Sequence, residues 1–491
     1  MVLVRKRGFV ALWIIALSGL AGCGATPAAH LNVSAHSVPS GRAIVISGAG
    51  FPPGSTVELT MHGPDNPDLR RSWPVSAAGT FRLTRMGPFV SAASQGPRVA
   101  SYYAGPFPPG SWSISAVDGT AKATVNFGVT SARWGFSAAS IAAAYNFTPL
   151  YKLGYQGQGE QVAIVVGSST PTLLQDVQVF STANHLPAVN LQILYPDGNP
   201  GYTAGWYNET TMDVELVHAL APKAQIDLVV SSHLLDSFQY ITDHHVASIV
   251  SFSAVLGTES SEPKSYWVGL DSVLKNAAQA GISILKGAGD KGALSGTSHP
   301  VLYFPPDSPW VTSIGGTSLM VGPHGRYLGD ETWGHPTATG FEGTGGGKST
   351  VFAEPSWQYG PTVPRDGVRN VPDVAMNANP YTGMRVYIQG RWVLAGGDSA
   401  TGPQWAALVA LADQVAGRPL GFLNPRLYAI GRSSSRTTAF HDVVYGYNGY
   451  YHAKVGWDFT SGWGTPNAYA LVRLLTVGAK GQIPPYRTPP A

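Results

Sequence analysis

The sequence predicts two folding units in tandem, a small all-β sandwich followed by a larger α/β domain built on a doubly wound parallel sheet. Three observations carry this. Between residues 31 and 130, apolar and polar residues alternate in short runs (43–47, 56–61, 80–84, 111–117 and 123–129), the period-2 signature of half-buried strands. Turn sequences rich in Gly and Pro, GFPPGS at 50–55 and GPFPPGS at 105–111, separate these runs at the spacing of an antiparallel sandwich. Beyond residue 134, apolar strand-like runs alternate with helical ones, the order expected of a sheet with helices on both faces.

Taken in order, the second unit opens with GEQVAIVVGS (159–168), a strand, and a helical run over 173–185. The pattern repeats through AQIDLVVS (224–231), VASIVSFSA (246–254), a helix over 266–280 and GISILKGAGD (281–290). Sheets of this kind place their sites at the carboxyl ends of the strands. Four segments follow from the whole reading: an export signal over 1–23, the sandwich over 31–130, the α/β domain over 136–478 and a Pro-rich tail over 479–491. The tail, ending in PPYRTPPA, is expected to run extended over the surface.

Composition narrows the function. Charged residues are 12% of the 491-residue chain and the net charge is +3, with no basic block, so no nucleic-acid partner is expected. The 59 glycines and 38 prolines are spread among apolar runs, which describes a loop-rich globular protein. The single cysteine, Cys23, permits no internal disulfide and no cysteine metal cluster. It follows a basic start (Arg5, Lys6, Arg7) and an apolar stretch over 9–20, and Leu-Ala-Gly-Cys resembles the lipobox of a bacterial lipoprotein. The stretch is shorter than the roughly 20 residues that span a bilayer. Cleavage before Cys23 and a lipid anchor there is the expectation, with an ordinary secretory signal as the alternative. Either places the protein outside the cytoplasm.

Candidate chemistry lies in the second unit. In GGDSATGPQWAALVALADQVAG (396–417), Ser399 precedes a helix with Pro403 in its first turn, where backbone N–H groups and the helix dipole can stabilise an oxyanion. Serine is also a common N-cap, so the position alone leaves both readings open. A base is needed, and the first strand ends in VVGSSTP without the Asp-Ser/Thr-Gly turn of a histidine triad. Instead YNETTMDVELVHALAPKAQI (207–226) has helical apolar spacing and carries Glu209 and Asp213 four residues apart, on one face. Two like charges there suit a shared proton, or a solvated face.

Together these segments resemble the sedolisin family of serine-carboxyl peptidases over residues 136–475. SAASIAAAYNFTPLY, ETTMDVELVHALAPKAQI, GAGDKGAL, YFPPDSPWVTSIGGTSL, EGTGGGKSTVFAEPSWQ and VPDVAMNANPYTG match family segments in order. The resemblance implies a subtilisin-like fold. It also implies Ser399 as nucleophile, Glu209 as general base, Asp213 as the carboxylate that orients Glu209, and Asp290 as a protonated oxyanion donor. Such chemistry favours acid, because a carboxylate of raised pKa still accepts a proton where imidazole is already charged. HDVVYGYNGYYHAKVGWDFTSGWGTP (441–466) resembles the family's calcium loop, implying one Ca2+ held by Asp442 and Asp458 carboxylates and the Val443, Lys454 and Gly456 carbonyls. A hydrogen-bonded turn with two solvated aspartates is the alternative. In the sandwich, GAGFPPGSTVEL resembles bacterial immunoglobulin-like modules and holds no ionisable cluster, so a spacer or binding role is expected.

Departures from the family pattern are also visible. Only the sandwich and a short linker stand where a long prosegment is usual, Asp398 precedes the nucleophile where threonine is usual, and Lys291 follows Asp290 where serine is usual. A Lys291–Asp398 pair would relieve the charge Lys291 places beside Asp290. The expected function is an acid-active endopeptidase cleaving proteins or peptides outside the cell. The alternative from another class is an inactive, surface-anchored binding protein, and a histidine-based hydrolase using a residue such as His218 is a further rival.

Overall fold

The structure is a computed structural model that describes residues 28–39, 44–63, 69–85, 110–130, 135–322, 325–337 and 340–477. The export signal with Cys23 and the Pro-rich tail lie outside the described residues.

The amino-terminal unit is a sandwich of two sheets. One holds His30–Val33, Ile44–Ala49 and Thr80–Arg85, all antiparallel. The other runs in the order Ser37–Pro39, Ala121–Thr130, Gly110–Asp118, Thr56–His62 and Leu69–Pro74. Alternation decides which side chains face inward: Val57, Leu59 and Met61 are buried, whereas Glu58 and His62 between and beyond them are exposed. These three meet Ile44, Ile46, Trp112 and Ile114 in one core drawn from both sheets. Three strands that the alternation did not pick out, His30–Val33, Ser37–Pro39 and Leu69–Pro74, complete the sheets at or near their edges.

In the α/β unit we label β1 (Gln161–Val166), α1 (Leu173–Ala183), β2 (Asn190–Leu194), α2 (Ala204–Leu220), β3 (Gln225–Val230), α3 (Asp236–Asp243), β4 (Ile249–Phe252), α4 (Lys264–Gln279), β5 (Ser283–Gly287), β6 (Thr312–Val321), β7 (Tyr327–Thr332), β8 (Val374–Asn377) and α5 (Thr401–Ala416). The sheet order is β2-β3-β1-β4-β5-β6-β7, with β8 also paired to β6. Every pairing is parallel except β6 with β7. The central strands are buried along almost their whole length, which is why they read as unbroken Val/Ile runs and not as alternation.

Strand order reverses around β1: the chain first places β2 at the sheet edge and β3 between it and β1, then returns to add β4 and β5 on the other side. Such a reversal opens a crevice at the carboxyl ends of the strands. Helix α5 is buried from Thr401 through Asp413, and its run of Ala, Leu and Val is what a helix enclosed on all sides requires. It packs on α2, β4 and β5, which brings its amino end to the crevice. Among the described residues, no helix is long and apolar enough to cross a membrane.

Candidate active site

The turn before α5 is set by two glycines. Gly397 has φ +82°, and a Cβ there would lie 3.0 Å from Asp290 Oδ2, so both conformation and space call for glycine. A Cβ on Gly287, at the end of β5, would come within 2.1 Å of the Asp398 carbonyl oxygen. The turn therefore nests against the end of β5. Asp398–Ala400 form a short 3-10 turn that runs straight into α5, and Ser399 is half-buried at its centre, beside the positive end of the helix.

Helix α2 brings the carboxylate pair to this serine. The Ser399 hydroxyl faces Glu209 and favours its ionised form. Asp213, one turn further along α2, is fully buried and its Oδ2 accepts from the Ser253 hydroxyl at 2.9 Å. That hydroxyl also favours the ionised form of Glu209 and lies 3.4 Å from the Ser399 carbonyl oxygen. Glu209 Oε1 and Asp213 Oδ1 are both buried without a hydrogen-bond partner. A proton retained by the pair would relieve this unmet acceptor capacity. Burial pushes the Glu209 carboxyl up to about 7, opposed by the Ser399 hydroxyl and reinforced by repulsion from Asp290. Asp213 is held well above the usual carboxylate range by burial and by repulsion from Glu209.

Asp290 closes the site from the other side. It follows β5, and its Oδ1 accepts the Asp398 backbone N–H at 2.6 Å. Burial raises its pKa, against the pull of that N–H and of Lys286 and Lys291. Ser399, Glu209, Asp213 and Asp290, drawn from widely separated stretches of sequence, thus share one electrostatic cluster.

The expected Lys291–Asp398 pair is not formed. Lys291 Nζ lies 4.0 Å from Glu342 Oε1, at the half-exposed rim. Asp398 instead turns inward, where its Oδ2 accepts the Thr344 hydroxyl at 2.8 Å and its Oδ1 is buried without a partner. A side chain buried under the nucleophile turn cannot reach an ammonium held at the surface. His218 is no partner of Ser399 either. It sits on α2, but its Nε2 meets the Pro187 carbonyl at 3.1 Å and burial pushes it down to about 4.

Sequence reasoning missed two residues of the site, Ser253 and Lys286. Both carried a signal: each is a polar residue inside an apolar strand run, VASIVSFSA and GISILKGAG. A buried lysine in such a run needs anionic or carbonyl company.

In the loop at 441–466, two carboxylates converge on one turn. Asp458 is buried and accepts the Lys454 N–H at 2.9 Å, the Thr460 N–H at 2.8 Å and the Ser461 N–H at 2.9 Å. Asp442 accepts the Gly456 N–H at 2.9 Å and meets Arg436 at 3.5 Å. Burial raises both, Asp458 to about 6. The recorded partners of Asp458 are neutral donors, so a buried carboxylate there has charge left to compensate. Two hard carboxylates that converge on one turn are the kind of oxygen donor a calcium ion takes. Among the described residues, no group of three or more His, Cys, Asp or Glu side chains is gathered to hold a metal, so the remaining ligands of any ion here would be carbonyls and water.

A serine at a helix start, faced by a half-buried carboxylate and not an imidazole, on a doubly wound sheet, defines a serine–carboxylate site. Comparison with known proteins agrees. The chain is 33% identical over 365 residues to kumamolisin of Bacillus sp. (strain MN-32), covering 69% of this chain and 63% of kumamolisin. It is 28% identical over 333 residues to sedolisin of Pseudomonas sp. (strain 101), covering 62% and 55%. To human (Homo sapiens) tripeptidyl-peptidase 1 it is 30% identical over 251 residues, covering 44% and 41%. Among solved structures, Pseudomonas sedolisin, a serine-carboxyl proteinase complexed with two molecules of pseudo-iodotyrostatin, superposes with a TM-score of 0.64 at 25% identity over 70% of this chain and 99% of that one. No family model matches the chain. Sequence and structure comparisons together support the sedolisin family of serine-carboxyl peptidases for this chain. It spans less than two thirds of the length of the curated relatives named here.

Proposed function

We propose that the chain is a serine-type endopeptidase, working on the acid side of neutrality, in which Ser399 is the nucleophile, Glu209 its general base, Asp213 the group that orients Glu209, and Asp290 the oxyanion donor. The observation that carries this reading is the placement of Ser399 against a half-buried Glu209 that is backed by the fully buried Asp213. Glu209 takes the hydroxyl proton as Ser399 attacks the peptide carbonyl, then returns it to the departing amine, leaving an acyl-enzyme that water hydrolyses by the same exchange in reverse. Asp290 Oδ1 is engaged by the Asp398 N–H, so the proton its donor role needs resides on Oδ2.

The pH range follows from the signs. Repulsion from an ionised Asp290 is part of what raises Glu209, so a protonated Asp290 lets Glu209 ionise below about 7. As pH rises, Asp290 loses its proton and the donor disappears. Activity is thus bounded below by Glu209 and above by Asp290.

Substrates are extended proteins or peptides met outside the cytoplasm, supported by the peptidase relatives and the export-type amino terminus, with a lipid on Cys23 as the membrane attachment. One Ca2+ held by Asp442, Asp458 and the carbonyls of Val443, Lys454 and Gly456 braces the 441–466 loop; when bound it supplies charge compensation there and takes no part in the acyl transfer. Digestion of an unfolded protein by the native chain and by Ser399→Ala and Glu209→Gln tests the assignment. Activity confined to the native chain is expected, and undiminished cleavage by either variant would remove that residue from its role.

A further inference from the structure

The reading above requires one ionised carboxylate in a site crowded with carboxyl groups, and a single buried cation stands among them. Lys286 lies in β5 and is 2% exposed. Its Nζ donates to the carbonyls of Ser253 at 3.1 Å and Gly287 at 3.3 Å. The first contact is informative, because Ser253 also bonds Asp213 through its hydroxyl and lies 3.4 Å from the Ser399 carbonyl. One short hydrogen-bonded path therefore fixes the ammonium relative to both the carboxylate pair and the nucleophile turn. The charged groups that face it are Glu209 and Asp213 from α2, Asp290 from the loop after β5, and Asp398 from the nucleophile turn. Lys291, the other nearby ammonium, is half-exposed and directed to Glu342.

With four carboxyls and one ammonium, the cluster is electrically neutral when a single carboxylate is ionised. Every further ionisation leaves uncompensated charge in a desolvated site, and without the ammonium the first would do so as well. We propose that Lys286 is a positioning residue of the catalytic site, the fixed counter-charge that allows Glu209 alone to be ionised while Asp213, Asp290 and Asp398 retain their protons. This rests on the serine-carboxyl reading. Lys286 acts through Glu209 and meets no substrate. Burial lowers its pKa, and the four carboxyls oppose that in part, as expected of a cation held among them.

Removing the ammonium moves the ionisation of every facing carboxyl to higher pH. The base then forms at higher pH, and Asp290 keeps its proton to higher pH. Both limbs of the profile of kcat/KM against pH shift upward together, whereas a purely structural role would lower activity at all pH values and leave the limbs in place.

The test compares this profile on a quenched peptide for the native chain, Lys286→Met and Lys286→Arg, with Ser399→Ala as control. For Lys286→Met both limbs are expected to rise by about one pH unit, an approximately tenfold loss at pH values below the native acid limb, and Lys286→Arg is expected to return them towards the native positions. A folded Lys286→Met enzyme with unmoved limbs overturns the proposal. Activity surviving in Ser399→Ala would instead refute the peptidase reading itself, so the two failures are distinguishable. Should Lys286→Met not fold, NMR titration of 15N-lysine in the Ser399→Ala chain decides: a charged Lys286 at the native pH optimum is expected, and a neutral one there overturns the proposal.

Discussion

Replacing Asp290 separates donor from charge. Its Oδ1 accepts the Asp398 N–H at 2.6 Å and its pKa is raised mainly by burial, so the group is most comfortable neutral. Asp290→Asn preserves both functions of the neutral acid, an acceptor for the Asp398 N–H and a donor towards the oxyanion, and cannot ionise. Asp290→Ala removes the donor and leaves the Asp398 N–H without that acceptor. Loss of one oxyanion donor costs about 2.7–4 kcal/mol, or roughly 10²–10³ in kcat. We expect Asp290→Ala to fall by that factor at every pH, and Asp290→Asn to stay well above it while its alkaline limb moves away from the native position. The sign of the stability effect is also determined. A carboxyl whose pKa is raised on folding contributes stability that is fully present below its unfolded pKa and is lost as pH rises through the folded value. Asp290→Asn should therefore melt higher relative to the native chain in alkali than in acid, measured in a Ser399→Ala background to prevent self-digestion. An Asp290→Asn enzyme that keeps the native alkaline limb, or an Asp290→Ala enzyme within tenfold of native kcat, would refute the assignment.

Two further predictions concern stability. Arg369 and Asp373 are both fully buried and meet through two parallel contacts of 2.6 and 2.7 Å, with Asp373 also accepting the Ser313 N–H at 2.8 Å and the Tyr428 hydroxyl at 3.0 Å. Arg369→Met leaves that carboxylate buried without its counter-ion, and chemical denaturation should report a loss of about 3–5 kcal/mol; a loss below 1 kcal/mol would show that the pair is not needed. For the 441–466 loop, chelation should lower the melting temperature, by the equivalent of about 2.7 kcal/mol if the ion was present at a hundred times its Kd. Because Asp458 is raised to about 6, calcium affinity should weaken as pH falls through that value, and a chelator that leaves the melting curve unchanged would count against the ion.

Much of the fold was legible. Period-2 alternation located the strand Thr56–His62, and the apolar runs located β1, β3, β4 and β5, because half-buried and fully buried strands leave different but readable patterns. The segments from β6 to β8 were less open to such reading: TSIGGTSLMV carries two glycines mid-strand, and its pairing to β5, β7 and β8 is decided by distant partners. At the site, the spacing of Glu209 and Asp213 on α2 and the position of Ser399 before α5 were readable, since both are local. The partners of Asp398 and Lys291 were not, because which of two charged side chains turns inward depends on the packing of strands far apart in the chain.

What the sequence determined by itself is the inventory and its local presentation: a serine at a helix start, two carboxyls one turn apart, an aspartate at a strand end, a lysine within an apolar run. Only the tertiary structure decided how those groups ionise. Burial and the arrangement of neighbours set the protonation of Glu209, Asp213, Asp290, Asp398 and Lys286, because removing water makes each charge depend on every other charge nearby. Whether that shared balance yields one base and one acid is a property of the folded chain.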